Sequence, residues 1–255
     1  MPSRTMQREE SMGGLAKGLA IMECFSRNRP RLTVSEAATL TDITPASARR
    51  CLRTLEGLGY LSYDGKFFRP TPRMTRLSTS YTNTNPLPLL AQPLLADLRD
   101  QINESCSLVV LDGNSALFIA RAESTHVVST GFSIGSRLPL YSSSAGRVLL
   151  AAFDDDDLQN YLRDVRPQSS TPNALTTIAA IRDRVQQIRR DGYSINDEEI
   201  ELGLRAVAVP VVDVGGKTVA CVVISALAAR TSFERLHEEF LPKLLVKARD
   251  LGKML

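Results

Sequence analysis

Between Thr33 and Leu58 the chain reads TVSEAATLTDITPASARRCLRTLEGL, a segment that admits few folds. Thr33 followed three residues later by Glu36 is a capping box, in which the hydroxyl and the carboxylate satisfy the unpaired amides that open a helix. Thr44 before Pro45 marks a second start, because proline at the first helical position leaves no amide unpaired and already holds a helical φ. Along that second helix Ala48, Cys51, Leu52, Leu55 and Leu58 recur at three- and four-residue steps, while Ala46, Arg49, Arg50 and Arg53 share another face. One side packs and the other is offered to a partner. Two short helices around a tight turn, the second bearing a row of guanidinium groups, are the pattern of a helix-turn-helix that reads double-stranded DNA.

The following segment, GYLSYDGKFFRPTP, supports this reading. Tyr60, Leu61 and Tyr63 lead through Asp64-Gly65, a strong hairpin turn signal, to Phe67 and Phe68. A two-stranded wing after a recognition helix makes a winged helix-turn-helix. The expected DNA-facing set is Thr33 and Thr44 at the helix starts, Ala46, Ser47, Arg49, Arg50 and Arg53 on the second helix, and Lys66 and Arg69 on the wing, with Arg73 near phosphates beyond it. Arginine pairs with guanine O6 and N7 in the major groove, and small residues such as Ala46 and Ser47 permit close approach. Wing contacts add affinity with little sequence information.

Charge follows the same division. Up to residue 75 there are 12 basic and 7 acidic residues, and after it 19 and 21. The positive charge therefore accompanies the DNA reader, and the asymmetry argues for two domains. Upstream, Leu15, Leu19, Met22 and Phe25 follow helical spacing and supply the first helix of a three-helix core. Residues 1–11 read as a flexible tail, with a minor-groove arm carrying Arg4 and Arg8 as the alternative. The beginning has no apolar signal core and no segment has the ~18–20 apolar residues of a membrane span, so the expectation is a cytoplasmic protein with no membrane partner. Cys24, Cys51, Cys106 and Cys221 are scattered and only His126 and His237 accompany them. No metal-ligand spacing results, and neither a metal nor a cofactor is expected.

Residues 12–72 thus form the DNA-binding domain and 73–88 a linker helix broken by Pro86 and Pro88. LLAQPLLADLRDQI then reads as a long helix with Pro93 in or near its first turn. Over 89–255 strands are expected at 107–111, 116–120, 126–132, 206–212 and 218–226, the last two joined through Gly215-Gly216. Helices are expected at 142–153, 155–163, 177–190 and from Ser232 onward, with Pro242 as a kink. Strands in groups and helices in blocks indicate an α+β domain, an antiparallel sheet with helices on its faces. Such a layered domain is a cup for a small molecule. Gly131-Phe132-Ser133-Ile134-Gly135 matches the hydrolase pattern G-x-S-x-G, but no strand-turn-helix context surrounds it, so no enzyme activity is expected. The acidic run from Asp154 to Asp157 is explained by a helix N-terminus.

On GLAKGLAIMECFS, the helix-turn-helix, SRLPLYSSSAGRVLLAAF and GYSINDEEIELGLRAVAVPV, the chain resembles the IclR family of bacterial transcription regulators over nearly its whole length. RPRLTVSEAA, TPASARRCLRTLEGLGYL, FRPTPRM and AQPLLADL with ESCSLVVLDG resemble the subgroup that controls aromatic-acid catabolism. The resemblance implies a winged helix-turn-helix joined to a GAF-like domain that binds an effector and oligomerises. It further implies a homodimer or dimer of dimers on palindromic promoter sites, a small organic acid as effector, and RNA polymerase as a further partner. The implied pocket is lined by Arg137, Leu138, Tyr141, Ser142, Ser143, Ser144 and Ala145 and by the sheet near Asn196, Ala206, Val223 and Ser225. Where the family's keto-acid sensors use an Asp, a Cys and two Ser, this chain has Asn196, Ala206, Val223 and Ser225, which favours a larger, flatter and less polar ligand.

Arg137, the serines and the amides opening the helix after Ser142 are candidate donors for a carboxylate. The alternatives are an exposed loop arginine and simple helix caps. Arg121 is read as pairing with Glu123, and Arg205 with Glu199 or Glu201. The competing readings of function are a regulator of a non-aromatic carboxylic acid pathway and a DNA-binding protein whose large domain only oligomerises.

Overall fold

The computed structural model describes residues 12–26 and 28–255, so the expectation for residues 1–11 lies outside it. The chain divides after Thr84 into two compact units.

The first contains α1 (Gly13–Glu23), α2 (Val34–Thr41), α3 (Pro45–Gly57), β1 (Leu61–Tyr63), β2 (Phe68–Pro70), a 3₁₀ turn at Pro72–Met74 and α4 (Thr75–Thr84). Both arms of the capping box are formed: the Glu36 amide donates to the Thr33 hydroxyl (3.2 Å), and the Thr33 amide donates to the Glu36 carboxylate (2.7 Å). Asp42, with φ of 51°, ends α2 in the left-handed region, where a short polar side chain is tolerated. Thr44 caps α3, receiving the Ser47 amide. Ile21, Leu32, Ala37, Ala38, Ala48, Leu52, Leu55, Leu61 and Phe68 form the core. In α1 the deeply buried residue is Ile21, not the expected Leu15 and Leu19, which are 60% and 48% exposed. They line an apolar groove of about 570 Å³ between α1 and α3, together with Leu58, also expected inside but exposed.

The cap makes a prediction. Thr33→Ala lowers the stability of this unit by about 1 kcal/mol, read as an earlier urea midpoint. Backbone and hydroxyl donors from Thr33 hold the Glu36 carboxyl below its ordinary pKa. A lowered folded-state pKa stabilises above the unfolded value and loses that contribution as pH falls through the folded one. The Thr33→Ala deficit therefore shrinks on acidification below about pH 4.

The second unit holds α5 (Leu87–Ile102), β3 (Ser105–Asp112), β4 (Ser115–Ala122), β5 (Arg137–Pro139), α6 (Ser144–Ala151), α7 (Asp155–Asp164), α8 (Ile178–Asp191), β6 (Ser194–Asp197), β7 (Leu204–Val212), β8 (Thr218–Leu227), α9 (Phe233–Arg235), a π-helical turn at Leu236–Phe240 and α10 (Leu241–Gly252). Six antiparallel strands run in the order β5-β4-β3-β8-β7-β6. One face buries Leu108, Val207, Val209, Val222 and Ile224 against Leu95 and Leu98 of α5 and Leu244 and Leu251 of α10. The other buries Phe118, Ala208, Cys221 and Val223 against Val148 of α6 and Ile181 and Val185 of α8. The α+β expectation holds.

Several details differ from the sequence reading. The strand expected at 126–132 is an irregular loop, with Val127 and Val128 exposed, and the pairing to β4 is made instead by Arg137–Pro139. β6, a four-residue edge strand, was not anticipated because so short a run carries little alternation. Pro93 lies in the interior of α5 and not in its first turn. It is exposed, as is Leu89, whose carbonyl it cannot pair, so the broken bond falls on the solvent side. The final helix runs without a break from α9 through the π turn into α10, and Pro242 follows the wider π turn, where the helical ladder is already irregular.

Candidate nucleic-acid interface and effector cup

Burial of Ala48, Leu52 and Leu55 turns the opposite side of α3 outward, and Ala46, Arg49, Arg50 and Arg53 are all exposed there. Their electrostatic states differ. Arg53 is engaged within the protein: it pairs with Glu56 at 2.8 Å and its guanidinium lies 4.2 Å from the centre of the Tyr63 ring. Among the described residues the guanidinium groups of Arg49 and Arg50 have no ion-pair or hydrogen-bond partner. Arg50 borders the groove beside α1. On the wing, the Asp64 carboxylate receives the amides of Lys66 and Phe67 and closes the turn, and Arg69 reaches it at 3.3 Å. Lys66 is exposed beside Phe67, and so is Arg31, stacked 4.1 Å from the same ring. Arg31 had no sequence signal, since only the tertiary bridge from Leu32 to Phe68 brings it to the wing. Thr33 and Thr44 keep their side chains in the caps.

In the second unit, register defines one face of the sheet residue by residue. Asn196, Ala206, Ser225 and Ser105 are successive cross-strand partners, and the next row holds Ala208, Val223, Ser107 and Arg121. The loop from Leu140 to Ser143 and the start of α6 lie over this face, with the Cys221 thiol donating to the Ala145 carbonyl (3.6 Å) and the Asn196 amide donating to the Ser142 carbonyl (2.7 Å). Gly146 permits the close approach of that loop, because a Cβ there would meet Leu140 backbone atoms at 2.5 Å.

The predicted effector residues are not all alike. Ser143 is the N-cap of α6, accepting from the Gly146 amide (3.0 Å). Ser144 and Ala145 are buried, and Leu138 and Tyr141 pack partly buried against the same core. The Tyr141 amide donates to the Tyr161 hydroxyl, whose pKa burial pushes up to about 12. Ser142 is only half-buried, its hydroxyl 3.5 Å from the Pro139 carbonyl. Asn196 is wholly buried and already employed, donating to Ser142 and accepting from the Glu199 amide. Arg137 is exposed at the far end of β4, where it pairs with Asp112.

Buried charge holds the cup together. Arg147, 0% exposed, donates to the carbonyls of Tyr141 (3.0 Å) and Ser142 (2.9 Å) and pairs with Glu199, which also meets Arg184 at 3.3 Å. Burial pushes the Arg147 guanidinium below its usual pKa, and Glu199 opposes that shift. Arg205 pairs with Asp197 (2.6 Å) and Glu198 (3.6 Å) rather than with the expected Glu199 or Glu201, because Asp197 faces it across the β6–β7 ladder. Arg121 does approach Glu123, at 3.5 Å, but its side chain is 2% exposed and also donates to Ser107 (2.8 Å) and Thr130 (3.0 Å).

Ser133 lies exposed in an irregular loop between Gly131 and Gly135, with neither a strand before it nor a helix after it, so the nucleophile-elbow geometry is not formed. Asp154 caps α7 by accepting from the Asp157 amide. No group of three potential metal ligands occurs among the described residues, and no helix among them is long and apolar enough to cross a membrane.

Comparison with known proteins gives this arrangement its context. The model of the IclR helix-turn-helix domain matches residues 14–65, and that of the bacterial transcriptional regulator IclR C-terminal domain matches residues 79–253. The Pca regulon regulatory protein of Pseudomonas putida is 37% identical over 94% of this chain and 83% of its own. A crystal structure from Rhodococcus sp. RHA1, described as a transcriptional regulator, superposes with a TM-score of 0.83 at 40% identity, covering 95% of this chain and 97% of that one. The inducer-binding domain of a double mutant of PobR from Acinetobacter, solved with 3-hydroxybenzoic acid, matches at 30% identity and a TM-score of 0.63, covering 66% of this chain and 98% of that one. These relatives are transcriptional regulators and not enzymes, and the chain belongs to the IclR family of bacterial transcriptional regulators.

Proposed function

We propose that this regulator binds palindromic promoter DNA as a homodimer or dimer of dimers and changes its grip, or its contact with RNA polymerase, when an aromatic carboxylic acid enters the cup of the second unit. The observation that carries the DNA half is the pair of guanidinium groups, Arg49 and Arg50, that have no partner among the described residues and stand on the exposed face of α3, whose N-terminus Thr44 caps. Two such heads on a two-fold axis would engage half-sites spaced by one or more helical turns, roughly 34–36 Å each. The effector half rests on the small-residue floor of Ala206, Ala208, Val223 and Ser225, which suits a flat ring, and on the likeness to relatives whose names carry a hydroxybenzoate. Such a protein works where the chromosome is, in the cytoplasm.

The test is fluorescence anisotropy of the full chain on promoter fragments, with and without hydroxybenzoates. The expected result is salt-sensitive binding to a palindromic fragment whose midpoint moves when the acid is added, since an effector shifts only the equilibrium it binds unequally. Indifference to every palindromic fragment would end the proposal for DNA. Binding that no acid perturbs would leave the large unit an oligomerisation module.

A further inference from the structure

The second unit holds several deeply placed arginines, and all but one are neutralised by a carboxylate that is itself sheltered or closely held. Arg147 has Glu199, and Arg230 has both oxygens of Glu104 at 3.3 and 3.2 Å. Arg205 has Asp197 at 2.6 Å. Arg121 is the exception. Its side chain is 2% exposed, yet two of its three nitrogens are spent on neutral hydroxyls, Nη1 on Ser107 and Nη2 on Thr130. The third, Nε, is buried and has no hydrogen-bond partner. Among the described residues the carboxylate near it is that of Glu123, 3.5 Å from Nε without hydrogen-bond alignment, and 63% exposed.

Resting on the proposed effector reading, we infer that Arg121 is the carboxylate anchor of the cup, taking the acid group of the effector on its Nε–Nη2 edge while Ser107 holds Nη1. The geometry is specific. A guanidinium binds a carboxylate best through two parallel N–H donors, and with Nη1 fixed the Nε–Nη2 fork is the edge left for it. The ring of the acid would then extend along Arg121's own row, where Val223 and Ala208 offer small apolar surface, beside the neighbouring row in which Ser105 and Ser225 offer hydroxyls. Charge balances without burying anything new: the ligand's carboxylate replaces Glu123, which lies in solvent for most of its surface. Thr130 belongs to the loop between β4 and β5, which is tied to the body through the Val128 carbonyl and Arg230. Nη2 carries two hydrogens, so Thr130 keeps one while the incoming carboxylate takes the other, which sets the Thr130 hydroxyl of that loop beside the acid group.

The test is titration calorimetry of the full chain with hydroxybenzoates, the matching neutral hydroxybenzamides, and short aliphatic and keto acids. Wild type binds a carboxylate about 10- to 100-fold more tightly than the corresponding amide. Arg121→Met loses a similar factor for the acid and nothing for the amide, and Arg121→Lys, which keeps charge without the fork, recovers only part. Glu123→Gln, at a side chain 63% exposed, keeps acid binding or tightens it up to about fivefold by removing the internal competitor. An amide bound as well as the acid would overturn the anchor, as would a folded Arg121→Met protein with undiminished acid binding or a Glu123→Gln protein that no longer binds. Arg121-dependent binding of aliphatic or keto acids with no response to hydroxybenzoates would sustain the anchor and refute the aromatic effector. A wild type that binds none of these acids would overturn the anchor.

Discussion

Replacing Arg49 and Arg50 together by alanine removes discrimination between the palindromic promoter fragment and random DNA, while random DNA itself is bound only slightly less well. Each bidentate arginine–guanine pair separates right from wrong base by about 1–3 kcal/mol, so each single substitution costs roughly 10- to 100-fold on the specific fragment. These two guanidinium groups have no ion-pair or hydrogen-bond partner among the described residues, whereas Arg53 is held by Glu56 and by the Tyr63 ring. The wing supplies the control. Lys66→Ala and Arg69→Ala weaken specific and random binding alike and reduce the salt dependence by about one counterion each, because phosphate contacts carry charge but no sequence. Competition titrations at several salt concentrations separate the two patterns. Equal losses on both DNAs for the Arg49 and Arg50 variants would move base reading elsewhere on the domain.

How much of this was legible beforehand depends on the range of the interaction concerned. The caps at Thr33 and Thr44 are local, each a side chain answering an amide a few residues away, and both form, as does the helix that the acidic run from Asp154 opens. The Asp64-Gly65 turn and the long strands β7 and β8 are equally local and were readable from alternation and turn chemistry. The irregular 123–136 loop deceived because Val127 and Val128 look like strand residues, although they end exposed. α1 deceived because its spacing does not say which of two apolar stripes is covered. The site was less legible for the same reason. Ser107, Arg121 and Thr130 meet only through strand register and a returning loop, so the sequence offered Arg121 no partner but nearby Glu123. Arg137 looked like a donor by its place in a motif, yet its strand position turns it to Asp112. Sequence proximity to α6 had stood in for position in the cup.

Glu199→Ala is expected to be the most damaging single substitution in the second unit. The carboxylate is 8% exposed and faces two arginines, one of which, Arg147, has no contact with water. Removing it leaves a guanidinium buried with only the carbonyls of Tyr141 and Ser142 as partners, and stranding a buried charge in this way costs about 3–5 kcal/mol. The loss should appear as a lower urea midpoint for the second unit in the full chain, with Glu199→Gln intermediate because it can still accept a hydrogen bond. Arg147→Met combined with Glu199→Met should cost less than Glu199→Ala alone, since it removes both charges and fills the space with apolar volume. This comparison identifies the cause, because lost packing alone would make the double variant worse. The effect should also reach effector binding. Arg147 and Asn196 jointly hold the Ser142 carbonyl, and Glu199 positions both, the first through its carboxylate and the second through its amide. Since a Glu199→Gln protein keeps the amide and loses the charge, it should bind the acid more weakly at temperatures well below its unfolding transition. Unchanged affinity there would confine the ion pair to stability and detach it from the cup.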